Sequence, residues 1–201
     1  MRRLVFLMLG LFSLSVHAVT LDDLQQRFSQ QPVLRAEFSQ QRSVSGMDQK
    51  LNSSGILVIS RNDGLWWQQE KPFALSLLLT DSRMVQTMAG QPPQTVTAQN
   101  NPQMFQFNSL LTALFHADHR ALEQNFTLDF SDRGQGNWKL VLTPKTSPLN
   151  RLFKTIRLEG QTFLNNININ DMQGDVTQIR FFNQRTEPKT LTDAEKQHFS
   201  S

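Results

Sequence analysis

The feature that most limits the fold is a period of two in the apolar residues. It recurs in short runs and is broken once, in mid-chain, by a helical period. Leu34, Ala36 and Phe38 alternate with Arg35, Glu37 and Ser39, the pattern of a strand with one buried face. Residues 56–60 are apolar on both faces, which requires a cover on the outer side as well. Asn62-Asp63-Gly64 signals a turn, after which 65–69 returns as a strand. Phe73, Leu75, Leu77 and Leu79 line one face of the next strand, and 83–88 with 94–97 form a hairpin around Gly90. Further strands are predicted at 126–130, 138–142, 154–158, 163–169 and 176–182, joined by short Gly-, Asn- and Asp-bearing turns.

Two stretches depart from this period. Residues 20–29 read as a helix, with Thr20 and Asp23 in a capping-box arrangement and Leu21, Leu24 and Phe28 on one face. Residues 102–125 gather Leu110, Leu111, Leu114 and Phe115 on one side, and Asp118 is placed to cap a second short helix. A last helical turn is expected from Thr192. About ten antiparallel strands with two helical insertions give a mainly β protein. The expected form is a strongly curved sheet or half-open antiparallel barrel, with helices covering its mouth.

The first 18 residues carry Arg2 and Arg3, an apolar run from Leu4 to Leu14 and the small-residue site Val16-His17-Ala18. That is the layout of a secretory signal peptide, too short for a bilayer span; the competing reading is a buried N-terminal helix. Cleavage after Ala18 leaves one domain, residues 19–201, with 18 basic against 17 acidic residues. A near-neutral chain without a basic stripe does not point to nucleic acid. Its lack of cysteine excludes disulfides, thiolate chemistry and a lipidated N-terminal cysteine. The expectation is an exported, unanchored, monomeric protein of the bacterial periplasm.

Little in the sequence looks catalytic. His116 and His119 have the spacing of metal ligands, but no third ligand lies nearby, and surface histidines at a helix junction are the plainer reading. Ser39 and Ser109 lack a nucleophile-elbow context, and no glycine-rich phosphate loop occurs. No enzyme, metal or cofactor is expected. What stands out instead is apolar bulk beyond the needs of one sheet face. Trp66 and Trp67 are adjacent and so point to opposite faces. Phe105, Phe107, Leu111, Leu114 and Phe115 lie on the helical insertion, which could serve as a lid. The set predicts an apolar cavity, with Phe38, Val58, Trp67, Leu75, Leu77, Phe107, Leu111 and Leu114 as its candidate lining residues; plain core packing is the alternative for each. A lone arginine, Arg61, stands between the apolar strand and the tryptophan pair.

Three stretches in order, AEFSQQ (36–41), SGILVISRNDGLWW (54–67) and KLVLTPKTS (139–147), resemble the outer-membrane lipoprotein carrier (LolA-like) family. The resemblance spans most of residues 20–185. It implies a half-open barrel with a helical lid over a cavity that shelters the acyl chains of a lipoprotein or other lipid-bearing cargo. It also implies partners: an inner-membrane release complex or exporter, and an outer-membrane acceptor. Arg61 would be the lid latch, hydrogen-bonding to lid backbone. Asn62-Asp63 stands where the family usually places a proline after that arginine, and residues 83–94 also depart from the family pattern. These departures favour a divergent member with its own cargo and membrane partner. A sensor or adaptor that binds a protein with the same open barrel is the alternative function.

Overall fold

The structure, a computed structural model, describes residues 18–97, 99–100, 112–116 and 118–200. Its frame is one sheet of eleven strands, every neighbouring pair antiparallel. In chain order the strands are β1 (Val33–Ser43), β2 (Leu51–Ser60), β3 (Gly64–Lys71), β4 (Leu75–Leu79), β5 (Arg83–Met88) and β6 (Gln94–Thr97). They continue as β7 (Phe126–Gly134), β8 (Asn137–Pro144), β9 (Phe153–Gly160), β10 (Leu164–Asp171) and β11 (Val176–Arg185). The spatial order is β6-β5-β4-β3-β2-β1-β11-β10-β9-β8-β7, so among the described residues the two chain-central strands, β6 and β7, are the free edges. The sheet is a half-open barrel that does not close.

Among the described residues four short helices accompany it: α1 (Leu21–Ser29), α2 (His119–Asn125), α3 (Leu149–Leu152) and α4 (Asp193–Phe199); residues 112–116 are also helical. The Thr20–Asp23 capping box forms, and Asp118 caps α2 by accepting from the Ala121 N–H at 3.2 Å. Satisfying those N–H groups fixes where each helix starts. Leu24, Ala113, Leu114 and Leu122 carry α1, 112–116 and α2 into the main core on the inner face, with Phe38, Leu57, Leu140, Ile156 and Phe181 of the sheet. The edge of the Phe28 ring meets Trp138, centroids 6.1 Å apart, and anchors α1 to β8.

The outer face has its own small core. Val33, Val58, Trp66, Leu78 and Val85 gather beneath Leu191 and the partly buried Phe199. The expected cover for the doubly apolar 56–60 is therefore α4. A close contact also explains why β2 carries a glycine in mid-strand. A Cβ on Gly55 would lie 1.9 Å from the Gln68 backbone oxygen, at the point where the β2–β3 register shifts.

Two expectations about strand faces need correction. Phe73 lies outside β4, in the β3–β4 turn, and is 56 % exposed. Arg35, read as a solvent-side residue, is 4 % exposed because α4 closes over it. Its guanidinium donates to both Glu195 carboxylate oxygens at 2.6 and 2.7 Å, and to the carbonyls of Pro188 at 2.8 Å and Thr190 at 3.0 Å.

Candidate functional site

On the inner face the alternation of β3, β4, β9, β10 and β11 turns one apolar row after another toward the same space. A cavity of 260 Å³ lies there, walled by Trp67, Leu75 and Leu77 on one side and Ile156, Ile167, Ile169 and Ile179 on the other. Leu114 and Phe115 of the 112–116 helix form part of its wall, and Leu149 and Phe153 line it near α3. Gln86 is the one polar side chain among its described lining residues. Such a space repels water and charge and favours hydrocarbon. Aromatic rings back the wall: Phe38 packs on Trp67 with centroids 3.9 Å apart, and Phe181 meets Trp67 and Phe115 edge-on at 6.1 and 5.8 Å. Phe115 also borders a second, smaller apolar space of 30 Å³, with Leu34, Ile59, Phe163 and His116.

A larger hollow of 700 Å³ lies across the outer face, but Gln41, Asn52, Asn166, Asn168 and Gln178 line it with Arg157 and Arg180. Burying hydrocarbon against that many amides would desolvate them without partners, so its chemistry does not suit an acyl chain.

The sequence-derived candidates divide. Trp67, Leu75, Leu77 and Leu114 meet around the 260 Å³ cavity. Phe38 is 1 % exposed and stands behind Trp67 as support. Val58 is corrected: it pairs with Trp66 across β2–β3 and belongs to the outer cluster under α4, on the far side of the sheet from the cavity. Apolarity on both faces of β2 hid which side each residue took. Phe107 and Leu111 lie outside the described residues, as do Phe105 and Leu110. The isoleucines of β9–β11, Phe153 and Leu149 were missed. Their alternation was visible, but a wall contributed by distant strands emerges only once β1 pairs with β11 and the sheet curls.

Arg61 sits exposed at the β2–β3 turn, where its backbone N–H donates to the Pro32 carbonyl at 3.0 Å. Its side chain makes no hydrogen bond or ion pair among the described residues. It does act on the 112–116 helix: burial first, then the Arg61 charge, hold the His116 imidazole below its usual 6.5, against the pull of Asp118 and Asp81. His119 faces Asp22 of α1, with Nδ1 3.5 Å from the carboxylate. Among the described residues no three His, Cys, Asp or Glu side chains converge on a metal-sized site. No described helix is long and apolar enough to cross a membrane.

A curated relative, an outer-membrane lipoprotein carrier protein of Dechloromonas aromatica (strain RCB), is 31 % identical over 173 residues, covering 86 % of this chain and 80 % of its own. Among solved structures, an outer membrane lipoprotein-sorting protein domain from Vibrio parahaemolyticus superposes with a TM-score of 0.51 at 10 % identity. That match covers 90 % of this chain and 96 % of the other, and it speaks to the fold alone. The family model of the outer membrane lipoprotein carrier protein LolA matches residues 29–195. With that match over most of its length, the chain belongs to the LolA family of outer membrane lipoprotein carrier proteins.

Proposed function

We propose that the protein is a periplasmic carrier, exported by cleavage after Ala18, that shelters the acyl chains of a lipoprotein or similar lipid-bearing cargo on the way to the outer membrane. The observation that carries this reading is the 260 Å³ cavity whose described lining is apolar except for Gln86. Each methylene moved from water into it contributes about 0.8 kcal/mol. Affinity then grows with chain length and requires no catalysis, metal or cofactor.

The cavity as it stands exceeds the roughly 150 Å³ apolar void that accepts a benzene-sized guest, but lies below the roughly 300–1,000 Å³ of drug-sized sites. A long acyl chain therefore enters only as the inner helices withdraw. Residues 112–116 are the piece to move, because Leu114 and Phe115 form part of the cavity wall and belong to no strand of the sheet. The Arg61 charge is felt by His116 on that helix, so a change of charge at either would alter how firmly the helix is held. An inner-membrane release complex would load the carrier and an outer-membrane acceptor would unload it.

The test is purification from periplasm without detergent, followed by native mass spectrometry and lipid extraction. A bound acylated species in the native protein, absent from a folded Leu77→Asp variant, supports the carrier. An empty protein that also ignores a fluorescent acyl probe overturns it and favours a protein-binding adaptor.

A further inference from the structure

The large apolar side chains left exposed among the described residues are Met47, Leu51, Phe73, Leu152 and Met172, each 50–56 % accessible. Scattered singly they would need no explanation. They are not scattered. Met47 and Leu51 lie at the β1–β2 connection, Phe73 at the β3–β4 turn, Leu152 at the end of α3 and Met172 at the β10–β11 turn, all at one end of the sheet. The connections touch in sequence around that end. The Met172 N–H donates to the Leu152 carbonyl at 3.0 Å, the Ser45 N–H donates to Asp175 at 2.8 Å, and Leu51 pairs with Arg42. The turns at the opposite end carry none of these side chains.

From β3 to β9 the end spans five strand intervals, about 24 Å along the sheet at roughly 4.8 Å each. Around and beside the apolar tips the same end carries exposed Lys50, Lys71, Lys145, Arg151 and Lys154, against Asp48, Glu70 and Glu123. Asp171 and Asp175 are taken up by Arg42, at 3.9 and 2.7 Å.

We propose that this end docks directly on an anionic phospholipid surface, its five apolar tips entering the headgroup layer and its cations meeting lipid phosphates. Single apolar tips spaced along an arc and accompanied by cations suit a fluid interface. A protein partner would call for a contiguous apolar centre within a polar rim. The docking end is also the cavity end: Leu75, Phe153 and Ile169 of the cavity wall lie within three residues of Phe73, Leu152 and Met172. Only this last point rests on the carrier reading, and it sets the cavity facing the bilayer.

The experiment is flotation of the mature protein, free of cargo, with vesicles of phosphatidylcholine containing about a third phosphatidylglycerol, at low salt. The protein floats with these vesicles and not with pure phosphatidylcholine. Phe73→Ser with Met172→Ser lowers partitioning about tenfold or more. Lys71→Glu with Arg151→Glu lowers it more than tenfold, at roughly fivefold per cation lost. All four side chains are exposed, so thermal melts stay unchanged. No flotation, or flotation indifferent to both pairs of changes, overturns the proposal. Uptake of the acyl probe, measured on the same samples without vesicles, separates the two readings: probe uptake without flotation removes membrane docking and leaves the carrier.

Discussion

Cutting the Glu195 charge should loosen α4 from the back of the sheet by an amount the structure allows to be worked out. The Arg35 hydrogen bonds hold the Glu195 carboxylate down from 4.5 to about 2 against the opposing effect of burial, helped by the Thr192 backbone and side chain and last by the Arg35 charge. A group whose folded pKa is depressed stabilises the protein fully above its unfolded value, and that contribution is lost as pH falls toward the folded one. At 1.36 kcal/mol per pKa unit this is ~3 kcal/mol at neutral pH. The 15 % exposure of the Glu195 side chain reduces it toward ~2. Glu195→Gln should therefore cost 2–3 kcal/mol at pH 7, lowering Tm by roughly 4–12 °C for a domain of this size. At pH 3 the deficit should shrink to about half or less, because much of the stabilisation has already been titrated away. Arg35→Met alone should cost about as much, leaving the carbonyls of Pro188 and Thr190 without their donor. Arg35→Met with Glu195→Leu should recover part of the loss by removing the unpaired charge, while the Pro188 and Thr190 carbonyls and the Thr192 N–H stay without partners. Urea unfolding at both pH values measures all three. A Glu195→Gln deficit below about 1 kcal/mol at pH 7, or one equally large at pH 3, would refute the argument that this pair fastens the helix.

Gly55→Ala should destabilise by well over 1 kcal/mol, because the added methyl meets fixed backbone of β3; a melt within a degree of the parent would contradict that close approach. Arg61→Gln should raise the His116 pKa toward 6.5, followed by NMR titration. As His116 is held low in the folded state, its contribution to stability is complete above 6.5 and declines below it, and the variant should lose part of that acid sensitivity. An unmoved titration would show that Arg61 does not act on the 112–116 helix. Ile169→Phe should fill part of the 260 Å³ cavity, raising stability by about 0.5–2 kcal/mol while weakening acyl-probe uptake; tighter uptake would place the cargo elsewhere.

The strands, their turns and two helix caps were legible because each is local: alternation in 34–39, the Asn62-Asp63-Gly64 turn, Thr20 with Asp23, and Asp118 before α2. Trp66 and Trp67 were rightly divided between faces by the same rule of two. What the alternation does not carry is which face receives a cover. Arg35 looked solvated because its partner is 160 residues away, on a helix whose own sequence is polar apart from Ala194 and Phe199. Val58 went to the wrong side for the related reason that β2 is apolar on both. Phe73 fitted the period of Leu75, Leu77 and Leu79 but falls before the strand begins, where the chain is still turning. The cavity was half legible: the β3–β4 wall was found, and the isoleucine wall of β9–β11 awaited the β1–β11 pairing.

That pairing has a mechanical consequence. All eleven strands are joined in one ladder, and among the described residues the seam left open is between β6 and β7, which do not pair with each other. A closed cylinder widens only by breaking a ladder. A scroll with a free margin widens by uncoiling, the change shared among ten joints, with every interstrand bond kept. In the carrier proposed above, cargo of different bulk would then be gripped by one wall at little elastic cost, the width of the vessel set by what it holds.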